Sequence, residues 1–271
     1  MNTAELAQHL VDQLKPTLGE REAASVSRLV LEDVFGTRPG GRPRQLSQDE
    51  EILAWTTINR LQAGEPVQYV TGIADFYGLQ LTVTPAVLIP RPETEELVEW
   101  ILEEHGSDRA LRVLDVGTGS GCIALALKAR RPRWDVRGVD VSEAALEVAR
   151  ENATRLQLPV EFAQLDILRD TPPDGPYDLV VSNPPYIRPA ERERMGASTV
   201  AHEPELALFT PEDDPLLFYR RLKELSPDLL APGGWIYVET SEFEHGETAG
   251  LYAEATGRID LRGKGRMVRG R

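Results

Sequence analysis

Cysteine and histidine are scarce in this chain, which has 1 cysteine and 4 histidines among its 271 residues. Because Cys122 has no second thiol to pair with, an internal disulfide is excluded. The histidines are scattered and have no cysteine partners at the spacing of metal ligands. We therefore predict no metal, either structural or in the functional site.

Positive charge and long apolar runs are lacking as well. The chain has 30 lysines and arginines against 44 aspartates and glutamates, a net charge of −14. This balance disfavours a non-specific grip on nucleic acid phosphates, although adaptation to high salt produces the same balance. No N-terminal run is apolar enough for a signal peptide or a membrane span. We expect a cytoplasmic protein without direct DNA or membrane partners.

The N-terminal quarter shows the apolar spacing of helices. Apolar residues recur at steps of three and four over residues 6–18, 20–35 and 47–64, with Thr3 as the predicted N-cap of the first helix. The run 36–44 is too rich in glycine and proline for regular structure and predicts a loop.

From residue 67 to residue 83 the apolar period changes to two. Leu79, Leu81 and Val83 alternate with polar residues, which predicts a strand in one arm of a hairpin. We therefore expect a helical domain over residues 1–66, a β-hairpin linker over residues 67–89 and a larger domain over residues 90–271.

The larger domain alternates short apolar strands with helical segments. Strands are predicted over residues 111–116, 136–140, 160–165, 177–181 and 235–239. Such a series predicts an α/β, Rossmann-like fold with a mostly parallel sheet, in which ligands gather at the carboxyl ends of the strands.

A glycine-rich turn follows the first of these strands. Gly117, Thr118, Gly119, Ser120 and Gly121 lead directly into a helix, whose N-terminus favours a negative group. The turn has no lysine, which a phosphate-binding loop of nucleotide hydrolases needs, and Cys122 occupies the third glycine position of a dinucleotide-binding turn. The pattern suits S-adenosylmethionine, whose carboxylate fits the helix end and whose sulfonium needs no basic counter-ion.

Two acidic residues stand at the next strand ends. Asp140 lies where an acid accepts hydrogen bonds from both ribose hydroxyls of a nucleoside. Asp166 is placed to accept from an adenine amino group, with Ile167 and Leu168 covering the ring. Each aspartate taken alone is better explained as a helix cap or turn residue, but the joint pattern favours a nucleoside site.

The fourth strand ends at Asn183-Pro184-Pro185-Tyr186. The two prolines stop the strand and hold Asn183 and Pro184 in extended conformations with their polar groups pointing outward. The Asn183 side-chain carbonyl and the Pro184 backbone carbonyl then offer two acceptors to a planar NH2 group, and Tyr186 offers a π-face. A proline-terminated strand whose asparagine caps a turn explains the motif equally well when it is taken alone.

Taken together, these motifs resemble the class I S-adenosylmethionine-dependent methyltransferases. Within that class the chain is similar to the HemK/PrmC type, the protein-(glutamine N5) methyltransferases of peptide chain release factors. The resemblance covers almost the whole chain and is carried by residues 65–72, 76–79, 90–95, 117–121, 183–186 and 202–208. The run Pro-Arg-Pro-Glu-Thr-Glu at 90–95 and the helical front segment distinguish the glutamine enzymes from methyltransferases of nucleic acids.

The resemblance implies a seven-stranded sheet and S-adenosylmethionine as the methyl donor. It also implies that Asn183 and Pro184 bind the glutamine amide of a release factor Gly-Gly-Gln loop, and that the helical domain docks another part of that factor. The substrate-binding residues implied in this way are Asn183, Pro184, Pro185, Tyr186, Leu88 and Arg91, and Asn183 also borders the donor. We further expect a monomer.

Two alternatives remain open at this point. A nucleic acid methyltransferase acting on adenine N6 or guanine N2 shares the Asn-Pro-Pro-Tyr motif, but it would need a basic surface leading to Tyr186. A non-catalytic module that uses the same fold to bind a translation factor is the second alternative.

Overall fold

The computed structural model describes residues 1–37, 41–106 and 109–271. Residues 38–40 of the predicted loop 36–44 lie outside the described residues. The chain forms one unit from Met1–Ile73 with Gly196–His202, and a second from Ala74–Met195 with Glu203–Arg271. The domain boundaries predicted after residues 66 and 89 remain a proposal, which limited proteolysis would test.

The first unit is helical. Its helices are α1 (Thr3–Leu18), α2 (Glu20–Asp33), α3 (Gln48–Gln62) and α4 (Val67–Thr71). Buried side chains at the predicted spacing, among them Leu6, Leu10 and Ile58, form its core. The predicted N-cap of α1 was wrong, because the Asn2 side chain accepts from the backbone amides of the first turn while Thr3 is buried and accepts from Arg44 N.

The segment after residue 66 contains a helix that the sequence pattern did not predict. Pro66 precedes α4, and Gly72 ends it with a φ of 75°. The hairpin follows as β1 (Ile73–Phe76) and β2 (Leu79–Thr82), so the strand predicted around Leu79 is confirmed. The period of two therefore begins only after Gly72.

The second unit contains a seven-stranded sheet in the order β5-β4-β3-β6-β7-β9-β8, which confirms the predicted fold class. Its strands are β3 (Arg112–Val116), β4 (Asp135–Asp140), β5 (Glu161–Gln164), β6 (Tyr177–Ser182), β7 (Leu230–Glu239), β8 (Thr256–Ile259) and β9 (Gly265–Gly270). The strands β5, β4, β3, β6 and β7 are parallel, and β9 pairs antiparallel with both β7 and β8. The chain order reverses between β3 and β6, where such sheets open a crevice at their carboxyl edge.

Helices cover both faces of this sheet. They are α5 (Pro92–Glu104), α6 (Cys122–Arg130), α7 (Glu143–Leu156), α10 (Leu217–Leu229) and α11 (His245–Leu251). Along β6, Leu179 and Val181 belong to one buried cluster and Val180 to the other, as the alternation of side chains in a strand requires. Pro92 occupies the first turn of α5.

The segment 187–210 contains short helices. They are a 3-10 helix (Pro189–Arg194), α8 (Ala197–His202) and α9 (Glu205–Leu208). Residues 196–202 belong to the first unit, where Ser198 Oγ donates to Gly64 O at 2.7 Å.

Basic side chains of the terminal hairpin β8–β9 pair with carboxylates of the same unit. The ion pairs join Arg258 to Glu103, Arg262 to Glu93, Lys264 to Glu242, Arg266 to Asp260, Arg269 to Glu104 and Arg271 to Glu254. Within the described residues, no helix combines the length and apolarity that a membrane crossing requires. The same residues contain no group of three or more His, Cys, Asp or Glu side chains placed to hold a metal ion.

Candidate active site

A cleft opens at the carboxyl ends of β3, β4 and β6, where the strand order reverses. It encloses about 1130 Å³ of empty space, including its open mouth. Its lining comes from the segments 86–94, 116–123, 139–145, 165–167, 182–185 and 204–207, together with Phe218. The turns after these strands therefore meet in one place, as the alternating pattern predicts.

The glycine-rich turn forms one side of the cleft. Gly117, Thr118, Gly119 and Ser120 line it, and a Cβ added to Gly117 or Gly119 would meet no atom within 4 Å. Both glycines have positive φ, 72° and 55°, so the turn needs the freedom of glycine. Gly121 faces away from the cleft, because its Cβ would lie 3.1 Å from Phe162 and Leu125 side-chain atoms.

A buried carboxyl group lies beneath the turn. Asp115 Oδ2 accepts from Thr118 Oγ1 at 2.6 Å and from Ala124 N at 3.2 Å. Burial raises the pKa of Asp115 to about 7, although the two hydrogen bonds act in the opposite direction. Asp115 is fully buried and thus fixes the turn rather than facing a ligand.

Asp140 and Asp166 both line the cleft. Asp140 Oδ2 accepts from Gly119 N, and its Oδ1 accepts from Ser142 N, each at 2.9 Å. Burial raises the pKa of Asp140 against the effect of these amides. Each carboxylate oxygen keeps a second lone pair for a hydroxyl donor.

Of the two apolar residues after Asp166, only Ile167 lines the cleft. Asp166 Oδ1 accepts from Leu168 N at 3.0 Å. Ile167 lines the cleft and also belongs to a buried core cluster, and Leu168 packs against that cluster without lining the cleft. The cofactor contact predicted for Leu168 therefore remains a prediction, and Ile167 is the apolar side chain that borders the cleft.

The proline corner follows β6, the strand next to β3, and lines the same cleft as the glycine-rich turn. Asn183, Pro184 and Pro185 line the cleft, and Asn183 Nδ2 donates to Thr94 Oγ1 at 3.1 Å. Ser182 Oγ donates to Val116 O at 2.7 Å and ties the corner to the end of β3. Among the described residues, none donates a hydrogen bond to Asn183 Oδ1 or to Pro184 O. Two oxygen acceptors are thus available at this corner.

Tyr186 turns away from the cleft lining. Its Oη donates to Glu239 Oε1 at 3.1 Å, and its ring packs beside a buried core cluster. Burial and the neighbouring Glu239 raise the pKa of Tyr186, so the phenol stays a neutral donor. The predicted contact between its π-face and the substrate remains a prediction.

Leu88 and Arg91 belong to a wall of the cleft that a buried glutamate holds in place by hydrogen bonds. Both line the cleft, and Arg91 Nη2 donates to Glu203 Oε1 at 2.5 Å. Glu203 Oε2 accepts from Ile89 N at 3.1 Å, and the side chain of Glu203 is 1% exposed. Glu203 therefore holds residues 89–91 beside the 204–207 stretch of the lining.

Sequence reasoning missed Thr94 and Glu239, which support the corner from behind. Thr94 Oγ1 donates to Glu239 Oε2 at 2.6 Å although the two residues stand 145 positions apart. Burial raises the pKa of Glu239 to about 7. Glu239 lies at the carboxyl end of β7. The sequence could have indicated it on that ground, because Asp140 was identified from its position at a strand end.

The sequence of this chain is similar to those of known methyltransferases. Residues 94–207 match the family model described as "Methyltransferase small domain". The chain is 42% identical to the release factor glutamine methyltransferase of Bacteroides thetaiotaomicron over 89% of this chain and 86% of that protein. It is 40% identical to the protein of the same name from Deinococcus radiodurans over 90% of each chain.

A solved structure supports the fold independently. A methyltransferase from Pyrococcus furiosus superposes with a TM-score of 0.52 at 17% identity, over 82% of this chain and 97% of that one. At such low identity the likeness concerns the fold alone. The extensive similarity to the two bacterial relatives concerns the family, and the chain belongs to the release factor glutamine methyltransferases.

Proposed function

We propose that this protein transfers a methyl group from S-adenosylmethionine to the side-chain amide nitrogen (N5) of the glutamine in the Gly-Gly-Gln motif of peptide chain release factors. The observation that carries the proposal is the proline corner. Asn183 and Pro184 line the same cleft as the glycine-rich turn, and neither Asn183 Oδ1 nor Pro184 O receives a hydrogen bond from the described residues.

The residues around the turn fit S-adenosylmethionine. Gly117 and Gly119 leave open space where a Cβ would otherwise stand, so a ligand can approach the backbone closely. Asp140 and Asp166 supply acceptors for hydroxyl and amino groups, and Ile167 supplies an apolar surface. When bound, the cofactor supplies an electrophilic methyl group on a positively charged sulfur.

The corner has the chemistry that an amide acceptor needs. A primary amide is a poor nucleophile, because its nitrogen lone pair is delocalised into the carbonyl. Two oxygen acceptors hold both N–H bonds and orient the nitrogen, and such preorganised polar contacts are each worth about 10²–10³ in rate. The product gives up its proton after transfer, so Asn183 and Pro184 act by orientation rather than as a general base.

The described basic side chains of the terminal hairpin do not favour nucleic acid as the substrate. The basic side chains of the terminal hairpin form ion pairs within the protein, and the net charge is −14. A phosphate backbone binds to basic side chains, which displace the counterions condensed on it, and the basic side chains of the hairpin are already paired with carboxylates.

The test is transfer of label from tritiated S-adenosylmethionine to a purified release factor. Wild type should label the factor, and exchange of the Gly-Gly-Gln glutamine for asparagine should abolish the labelling. DNA and RNA serve as alternative acceptors. Labelling of either in preference to the release factor would contradict the proposal, and binding without transfer would favour the non-catalytic alternative.

The partner and the location follow from the proposed substrate. Release factors work on the ribosome, so we propose that the enzyme acts in the cytoplasm, and that the helical domain of residues 1–66 docks a second part of the factor. We also propose a monomer, which light scattering on the purified protein would test.

A further inference from the structure

A buried chain of hydrogen bonds runs behind the proline corner. Glu239 is 1% exposed and accepts from Thr94 Oγ1 at 2.6 Å and from Tyr186 Oη at 3.1 Å. Thr94, itself 2% exposed, is in turn 3.1 Å from Asn183 Nδ2. Four side chains from β7, α5 and the corner are thus linked, and only Thr94 and Asn183 reach the cleft.

The number of protons that these four side chains share fixes the direction of the hydrogen bonds between them. A threonine hydroxyl has one proton and two lone pairs, and an ionised carboxylate accepts only. When Glu239 is ionised, Thr94 must donate to it, and 2.6 Å is the length expected of such a charge-assisted bond. Thr94 can then only accept from Asn183. The NH2 group of Asn183 therefore faces Thr94, and its Oδ1 is left for a ligand.

We propose that Glu239, acting through Thr94, is a positioning residue that selects the orientation of the Asn183 amide in which Oδ1 is offered to the substrate NH2 group. This inference rests on the proposed function for its consequence in catalysis. The orientation itself is a property of the protein alone. Tyr186 belongs to the same unit, because its phenol donates to the other carboxylate oxygen.

Protonation of Glu239 removes the constraint. A protonated carboxyl group can donate to Thr94, whose own proton is then free to point at Asn183 Oδ1, so both amide orientations become compatible. In the second orientation an NH2 group faces the substrate NH2 group, and two donors cannot bond.

Glu239 is placed to change its ionisation near neutral pH. Burial raises its pKa to about 7, and Glu93 adds to this effect, while Thr94, Tyr186 and Arg266 oppose it. The fraction of protein with Asn183 correctly oriented should therefore fall as the pH drops below 7.

The first test compares two exchanges of Thr94. Thr94→Val keeps the shape but removes the hydroxyl, and kcat at saturating S-adenosylmethionine should fall about 10–100-fold while the dissociation constant of the donor stays within about 2-fold. Thr94→Ser keeps the hydroxyl and should recover most of kcat. Equal kcat values for the two variants would overturn the proposal.

The second test observes Asn183 without turnover. Its side-chain NH2 resonances, assigned from their loss in Asn183→Asp, should shift between pH 5.5 and 8.5 with a midpoint near 7 in wild type and Thr94→Ser. The shift should vanish in Glu239→Gln and in Thr94→Val. The same shift in Glu239→Gln would overturn the inference whatever the activity, whereas a wild type that titrates but transfers no methyl group would refute the proposed function alone.

Discussion

Exchange of Asp115 for asparagine should make the protein more stable at alkaline pH. Asp115 is fully buried beneath the glycine-rich turn, and burial raises its pKa from 3.8 to about 7. Only its Oδ2 accepts hydrogen bonds, from Thr118 and Ala124, and Oδ1 has no partner among the described residues. Asparagine keeps one acceptor oxygen and carries no charge, so it imitates the protonated acid.

The size of the stability change follows from the pKa values of Asp115 in the folded and unfolded states. Because the folded pKa lies above the unfolded one, the folded state retains a proton that the unfolded state has released. The stabilisation that Asp115 contributes is fully present below about pH 4 and is lost as the pH rises to about 7. At about 1.4 kcal/mol per pKa unit, wild type should lose about 2–3 kcal/mol between pH 5 and pH 8 through Asp115 alone.

The assay is denaturant unfolding of wild type and Asp115→Asn at pH 5 and at pH 8. Other titrating groups are common to both proteins, so the difference in unfolding free energy isolates Asp115. That difference should move by about 2–3 kcal/mol in favour of the variant as the pH rises. Asp213→Asn, at an exposed position, is the matched control for the exchange itself. A difference that stays within about 0.5 kcal/mol at both pH values would refute the reasoning.

Two further exchanges test the cleft, and a third tests the packing beneath Thr118. Asn183→Ala should lower turnover about 10²-fold with donor affinity unchanged in calorimetry, and an equal loss of donor affinity would contradict its role as an amide acceptor. Asp140→Ala should raise the dissociation constant of S-adenosylmethionine at least about 10-fold, since each charge-assisted bond contributes roughly 1.5–3 kcal/mol, and an unchanged constant would remove it from the ribose. Gly138→Ala would put a Cβ 2.6 Å from Phe162 Cδ1 and 2.8 Å from Thr118 Oγ1. The unfolding free energy of this variant should fall by about 1–3 kcal/mol in denaturant titration. A variant as stable as wild type would show that Phe162 and Thr118 can move aside at no cost.

The sequence predicted those site residues whose position follows from the residues next to them in the chain. Asp140 and Asn183 each follow an apolar strand directly, and the carboxyl ends of parallel strands meet at one edge. The turn 117–121 leads directly into its helix, so its location could also be predicted from the sequence. The direction of side chains was harder to predict, since Leu168 and Tyr186 stand directly beside cleft residues, yet both pack against a buried core cluster and neither lines the cleft.

The part that the sequence did not reveal depends on contacts between distant segments. Thr94 stands in the first turn of a helix and Glu239 at the end of a strand, and each position is ordinary when taken locally. Their hydrogen bond joins positions 145 apart, and the sheet order that brings them together follows only from the fold. Glu203 was missed as the partner of Arg91 for the same reason, because the two are separated by 112 positions.

Two buried carboxyl groups with raised pKa values thus lie behind the two sides of the cleft, Asp115 under the glycine-rich turn and Glu239 behind the proline corner. Near neutral pH each ionises at a cost in stability, which a neutral amide would avoid. An amide both donates and accepts, so it can turn and leave the direction of its neighbours' hydrogen bonds undetermined. An ionised carboxylate accepts only, and this forces Thr118 and Thr94 to donate to it. The lower stability is therefore the consequence of fixing two polar arrangements in advance of binding, and it predicts that Asp115→Asn gains stability at pH 8 while losing affinity for the methyl donor.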